Sequence, residues 1–216
     1  SERKDKRVEI LWPQRGDRRH LVQMAQENAA QSFAERHDQE KAREKMLREL
    51  QQHLRLKGYP QRIECFDIST IHGAHAVGSM VTFINGEPDK NLYRHFRIKT
   101  IDASSGGDDF GMMLEMLKRR FARGKEEADL PDLIVVDGGK GQLAMALTAM
   151  AELGIENVEA VGLAKMRVQA AARSTEIERT EERVFLPGQS NPVILRRNSN
   201  ALFLLQRVRD EAHRFA

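Results

Sequence analysis

The run Leu133-Ile-Val-Val-Asp-Gly-Gly-Lys-Gly-Gln142 constrains this chain more than any other stretch. Four apolar residues without polar alternation read as a strand buried on both faces. The strand closes on Asp137, and after two glycines Lys140-Gly141-Gln142 opens a helix that Gly154 ends. An acid at the end of a core strand, beside backbone bare enough to admit a phosphate, is a way of placing a metal ligand. A second apolar strand closes the same way, in Cys65-Phe66-Asp67.

The elements around these two strands set the fold class. Val8, Ile10 and Trp12 alternate with polar residues and predict a short edge strand. Residues 21–56 carry Leu21, Met24, Ala25, Phe33, Met46, Leu47, Leu50 and Leu54 mostly at helical spacing, with a charged, solvated middle over 35–44. Gly58 and Pro60 stop that helix. Residues 1–60 are thus expected to be an extension packed on a core domain of 61–216. Strands follow at 62–68, 76–84 and 90–99, the last two joined through Asn85-Gly86, a strong hairpin signal. A helix over 108–121 buries Met112, Met113, Met116 and Leu117. After the strand at 133–136 and its helix come a strand at 158–163, a charged loop at 173–183, a short extended piece at 193–195, and a helix from Asn200. That last helix turns Leu202, Leu205, Val208 and Ala212 inward. An antiparallel meander followed by alternating helices and strands predicts an α/β mixed sheet with helices on both faces, the strand order of the ribonuclease H-like fold.

Composition removes several alternatives. The 216 residues suffice for one good core, and 40% hydrophobic with 31% charged residues describes a soluble globular chain. No apolar run approaches the roughly 18 residues of a membrane span. The charged start, residues 1–7, has no secretory apolar segment. A single cysteine, Cys65, permits no internal disulfide, fits a cytoplasmic setting, and lies in an apolar strand as core filler. Net charge is +3, compatible with nucleic acid without implying it, and 6% aromatic residues are too few for base-stacking platforms. No His-x-x-x-His or Cys/His cluster makes a zinc site.

The chemistry rests on juxtaposition. In the expected sheet the first and fourth strands are parallel neighbours about 4.8 Å apart, which brings Asp67 and Asp137 together. Two carboxylates so close repel unless a cation lies between them, and hard oxygen donors favour Mg2+ or Mn2+. Taken singly, Asp137 also suits a turn and Asp67 an Asx-turn or cap. Gly138 to Gly141 lacks the spacing of a nucleotide phosphate loop. Lys140 and Gln142 remain candidates to touch a backbone phosphate, and Arg196 and Arg197 form a basic pair before the last helix; solvated charge explains such residues equally well. A lone helical histidine such as His213 is ordinarily surface or packing. Two rival readings stand beside a nuclease: a non-catalytic scaffold binding DNA or a protein, and a mononucleotide-binding domain.

Five motifs in order carry a resemblance: Glu64-Cys-Phe-Asp-Ile-Ser69, Gly107-Asp-Asp-Phe110, Pro131 through Gln142, Gly162-Leu-Ala-Lys165 and Arg209-Asp-Glu-Ala-His213. Together with Pro13-Gln-Arg-Gly16 they resemble the C-terminal endonuclease domain of the UvrC family, the incision subunit of bacterial nucleotide excision repair. The resemblance implies a ribonuclease H-like fold and an Asp-Asp-His triad at Asp67, Asp137 and His213. It implies a further acid at Asp109, a Mg2+ or Mn2+ cofactor, and the incision 5′ to a lesion. The implied partners are damaged double-stranded DNA and UvrB, with UvrA upstream. The family's GIY-YIG nuclease, UvrB-binding segment and helix-hairpin-helix modules have no counterpart in this sequence, so it is expected to be a piece of a longer protein. Lys140, Gln142, Lys165, Arg196 and Arg197 are the candidate DNA contacts. Whether His213 ligates metal or carries a proton, and whether one metal or two is used, stay open.

Overall fold

Strand β5 (Leu133–Asp137) runs through the middle of the sheet, and its first four side chains are wholly buried. Because strand side chains alternate, Leu133 and Val135 enter one apolar cluster and Ile134 and Val136 the other. The computed structural model describes residues 12–71, 75–98, 109–168 and 179–216. These fall in two units, Ser1–Ala42 and Arg43–Ala216. Helix α1 (Asp17–Leu54) begins in the first, whose described part is mostly exposed helix, and ends in the second. The expected edge strand at 8–12 lies almost wholly outside the described residues.

The second unit is the mixed α/β sheet that the order of elements predicts. On one side of β5 lies β1 (Arg62–Ile71) and on the other β6 (Glu159–Val168), both parallel to it. Antiparallel strands extend the sheet outward: β2 (His75–Ile84), with β3 (Glu87–Pro88) and β4 (Arg94–Arg97) both paired to it, and β7 (Arg179–Phe185) with β8 (Val193–Ile194). Helices α2 (Asp109–Glu126) and α3 (Lys140–Glu152) cover one face through Met113, Met116, Leu117, Leu143 and Ala146. Helix α4 (Asn200–Phe215) and the last turns of α1 cover the other, through Leu202, Leu205, Val208 and Ala212 and through Met46, Leu47, Leu50 and Leu54.

The Asn85-Gly86 hairpin forms as expected, with both residues in the left-handed region (φ 52° and 79°) and Ile84 paired to Glu87. Four expectations need correction. The strands at 62–68 and 158–163 run on to Ile71 and Val168, so Asp67 lies within β1 and not at its end. The strand at 90–99 is shorter: Asp89 caps a 3-10 turn at Lys90–Leu92 by accepting from the Asn91 N–H, so pairing restarts only at Arg94. The helix at 108–121 runs on to Glu126, and Asp108 lies outside the described residues. The charged loop at 173–183 contains β7 from Arg179 onward, while 173–178 lie outside the described residues. Its alternation was hidden because an acid, Glu182, takes the inward position that an apolar residue would normally hold.

Two close approaches shape the end of β5. A Cβ on Gly162 of β6 would meet the Gly138 and Gly139 carbonyl oxygens at 2.8 and 3.1 Å, so glycine is needed for the β5–α3 turn to lie against β6. A Cβ on Gly141 would strike the Phe110 ring at 2.2 Å, so the starts of α2 and α3 touch there.

Beneath α2 the sheet buries a charge. Glu64, fully buried on β1, accepts from Arg120 Nε and Nη2 at 2.9 and 2.6 Å and from Arg62 Nε and Nη2 at 3.1 and 2.8 Å; both arginines also bond Asp129. Removing one partner of such a group strands the others in low dielectric, at about 3–5 kcal/mol. Glu64→Ala is therefore expected to lower the unfolding free energy in urea by about 3 kcal/mol or more; a loss under about 1 kcal/mol would show that water satisfies Arg120.

Candidate metal centre

Period-two alternation carries Ile63, Cys65 and Asp67 of β1 to the α4 face, and Leu133, Val135 and Asp137 of β5 to the same face. Phe66 and Val136 are register partners, so the next residues, Asp67 and Asp137, stand side by side where apolar pairing ends. The third group comes from α4. Ser199 starts this helix by accepting from the Leu202 N–H at 3.1 Å, and buried Leu205, Val208 and Ala212 press it on the sheet. His213 follows, over the two acids. Its Nδ1 lies 3.1 Å from Asp67 Oδ2 and its Nε2 3.0 Å from Asp137 Oδ2. One ligand atom from each residue falls within 4.8 Å of the others.

Burial grades across the site. The Asp67 and Asp137 side chains are 11% and 16% exposed, that of His213 54%. The acids are thus fixed by the sheet, and the imidazole side opens to solvent. Burial pushes the Asp137 carboxyl up, and the Asp67 carboxylate adds to this; His213 and Arg209 pull it back, leaving it at about 6. Burial and the same two carboxylates raise the Cys65 thiol, which keeps this cysteine protonated and inert.

Two hard carboxylates and one imidazole, converging on a point open to solvent, suit a six-coordinate divalent ion that keeps water or phosphate oxygens in its remaining positions. The donor set fits Mg2+ and, through the nitrogen, Mn2+.

The other candidates scatter. Asp109 is exposed in the first turn of α2, outside the three-residue cluster, though its neighbour Phe110 rests on Gly141 just past Asp137. Lys165 of β6 lies two residues beyond Leu163, the register partner of Asp137; alternation puts it on the same face, exposed at the rim. Lys140 Nζ donates to the Ser190 carbonyl at 2.5 Å, and the Gln142 side chain folds over Gly138. Arg196 and Arg197 are exposed before the start of α4, about 20 Å along the helix from His213 at 1.5 Å per residue. Two residues that act on the site escape a reading of the sequence. Glu182 of β7 and Arg209 of α4 form a buried pair, Nη1 to Oε2 2.5 Å, whose charges both reach Asp137. Only Arg209, one helical turn before His213, carried any signal, as part of a motif.

Residues 51–216 match the family described as the UvrC RNAse H endonuclease domain, and residues 1–36 match the UvrC Ribonuclease H-like domain. The UvrABC system protein C of Syntrophotalea carbinolica is 50% identical over the whole chain, and that of Trichlorobacter lovleyi 51%. The chain spans 35% and 36% of the lengths of these relatives. Among solved structures, human ENDOV aligns over 81% of this chain and 98% of its own at 12% identity, with a TM-score of 0.36, too distant to bear on chemistry.

The raised carboxyl has a thermodynamic consequence. With its value moved from 3.8 to about 6, folded Asp137 holds its proton more tightly than the unfolded chain does. Stability is therefore lost as pH rises through about 4 to 6, by up to about 3 kcal/mol for two units. In chelator, Asp137→Asn is expected to raise the thermal midpoint at pH 7.5, with the gain vanishing toward pH 4. A variant less stable than the parent at pH 7.5 would contradict this.

Proposed function

Because this chain belongs to the UvrC RNase H endonuclease domain family, we propose that it hydrolyses one phosphodiester bond of damaged double-stranded DNA, making the incision 5′ to the lesion. The observation that carries this reading is the convergence of Asp67, Asp137 and His213, with ligand atoms within 4.8 Å where the parallel pairing of β1 with β5 ends. In this reading Asp67 and Asp137 hold Mg2+ or Mn2+. When bound, such an ion polarises a phosphoryl oxygen and lowers the pKa of a coordinated water.

The chain's own groups divide the remaining work. The buried carboxylates set the position of the reacting phosphate, because the sheet allows them little motion. His213, half exposed, either completes the ligand set through one ring nitrogen or carries a proton from the attacking water to solvent. Lys165 at the rim offers a cation to a non-bridging phosphate oxygen. Asp109, in the first turn of α2 and outside the three-residue cluster, is the further acid that the family resemblance assigns. The proposed partners are UvrB, which delivers the substrate after UvrA, and the remaining parts of the longer protein; the proposed setting is the cytoplasm. Residues 1–60 serve as an extension of the 61–216 nuclease core.

In the full-length protein, Asp137→Ala is expected to lower 5′ incision by about a thousandfold or more while sparing 3′ incision. Normal 5′ cutting by that variant ends the proposal. Mn2+ is expected to raise the thermal midpoint of the chain and to do so far less in the Asp67→Ala variant; equal shifts in the two would leave a scaffold as the better reading. For His213→Ala, retained Mn2+ binding with lost cutting assigns the proton role, and loss of both assigns a ligand.

A further inference from the structure

We propose that the turn of α4 carrying His213 is clamped to the sheet on both flanks, and that Arg209, Glu182, Tyr93 and Glu211 are the positioning residues that set the imidazole between Asp67 and Asp137. The inference rests on the metal-centre reading and deepens it.

The need for a clamp follows from exposure. His213 has 54% of its side chain in solvent, so packing does not hold its ring. Its place is inherited from the backbone turn beneath it, and a metal-binding group must be held to about 0.5 Å. Apolar contact through Ala212 and Val208 fixes the depth of α4 but tolerates rotation and sliding, because dispersion has little directionality.

The directional contacts sit on opposite sides of the helix. Arg209, one turn before His213, is buried and gives Nη1 to Glu182 Oε2 of β7 at 2.5 Å and Nη2 to Asp210 Oδ1 at 3.0 Å. A desolvated pair of this kind resists displacement of either partner. Glu211, about 200° around the helix from Arg209, accepts from the buried Tyr93 hydroxyl at 2.8 Å. Phe215 strengthens this second flank: its ring meets Tyr93 edge-on at 4.9 Å and stacks on His95 of β4 at 4.1 Å, and His95 Nε2 lies 2.9 Å from the Phe215 carbonyl oxygen. One flank thus ties α4 to β7 and the other to β4 and the turn before it. With both in place the helix can neither roll nor slide, and both imidazole nitrogens keep their aim at the carboxylates.

The test compares Tyr93→Phe and Glu182→Gln with the parent chain. Mn2+ affinity is read by electron paramagnetic resonance of the free ion at 20 °C, and incision at saturating DNA is read in the full-length protein. Each variant is expected to bind Mn2+ about tenfold more weakly and to lower kcat by a similar factor with KM unchanged, while remaining folded at 20 °C. Arg209→Lys, which keeps the charge but not the fork, is expected to fall between parent and Glu182→Gln. If both variants bind Mn2+ as tightly as the parent and only their thermal midpoints fall, the contacts are merely structural and the proposal is overturned. If the parent itself binds no Mn2+, it is the metal-centre reading that fails. The clamp is then decided by histidine-selective 15N spectra: the His213 ring signals must shift or broaden in both variants, and unchanged signals overturn it.

Discussion

The parallel pairing of β1 with β5 is the constraint on which the rest of this protein depends. Its register, with Phe66 opposite Val136, leaves Asp67 and Asp137 adjacent on one face. Everything below that row is apolar and dry, through Ile63, Cys65, Leu133 and Val135. At the row itself the two acids stand between Ser79 of β2 and Leu163 of β6. A one-residue slip in either strand would swap faces and send an acid toward α2 and α3 in place of α4. The register is secure because both faces of β5 are buried, so a slip would misplace a whole apolar set.

That arrangement costs stability where it creates chemistry. Burial beside a second carboxylate holds Asp137 at about 6, an unfavourable state at neutral pH that only a cation or a proton relieves. The fold carries this cost on a core with two full layers of helix and a fully satisfied buried acid, Glu64, far from solvent. The two buried carboxylates of β1 therefore play opposite parts. Glu64 is surrounded by guanidinium groups and closes the structure, whereas Asp67 faces an acid and a histidine and opens it to a ligand.

Much of this was legible in the residues. The run 133–136 followed by Asp-Gly-Gly announced a buried strand with an acid at its exit, and Asn85-Gly86 announced the hairpin that turns β2 back into β3. The parallel pairing of β1 and β5 followed from the order of elements. β7 was not legible, because its inward position is an acid whose partner lies 27 residues away. Nor was the 3-10 turn at Lys90–Leu92, which depends on one side-chain bond from Asp89.

By itself the sequence determined the class of fold, the two acids on its first core strand and at the end of its central one and, through its ordered motifs, the family. These are local properties: periodicity, turn chemistry and residue type act over a few positions. Only the tertiary structure decided which charges meet. It brought His213 to the two acids from the far end of the chain, left Arg196 and Arg197 at the distant end of α4, set Lys165 at the rim, and put the Glu182–Arg209 pair beside Asp137. Electrostatic interaction depends on distance in space and on burial, and neither can be read along a chain before the sheet has placed its strands and the helix has been laid across them.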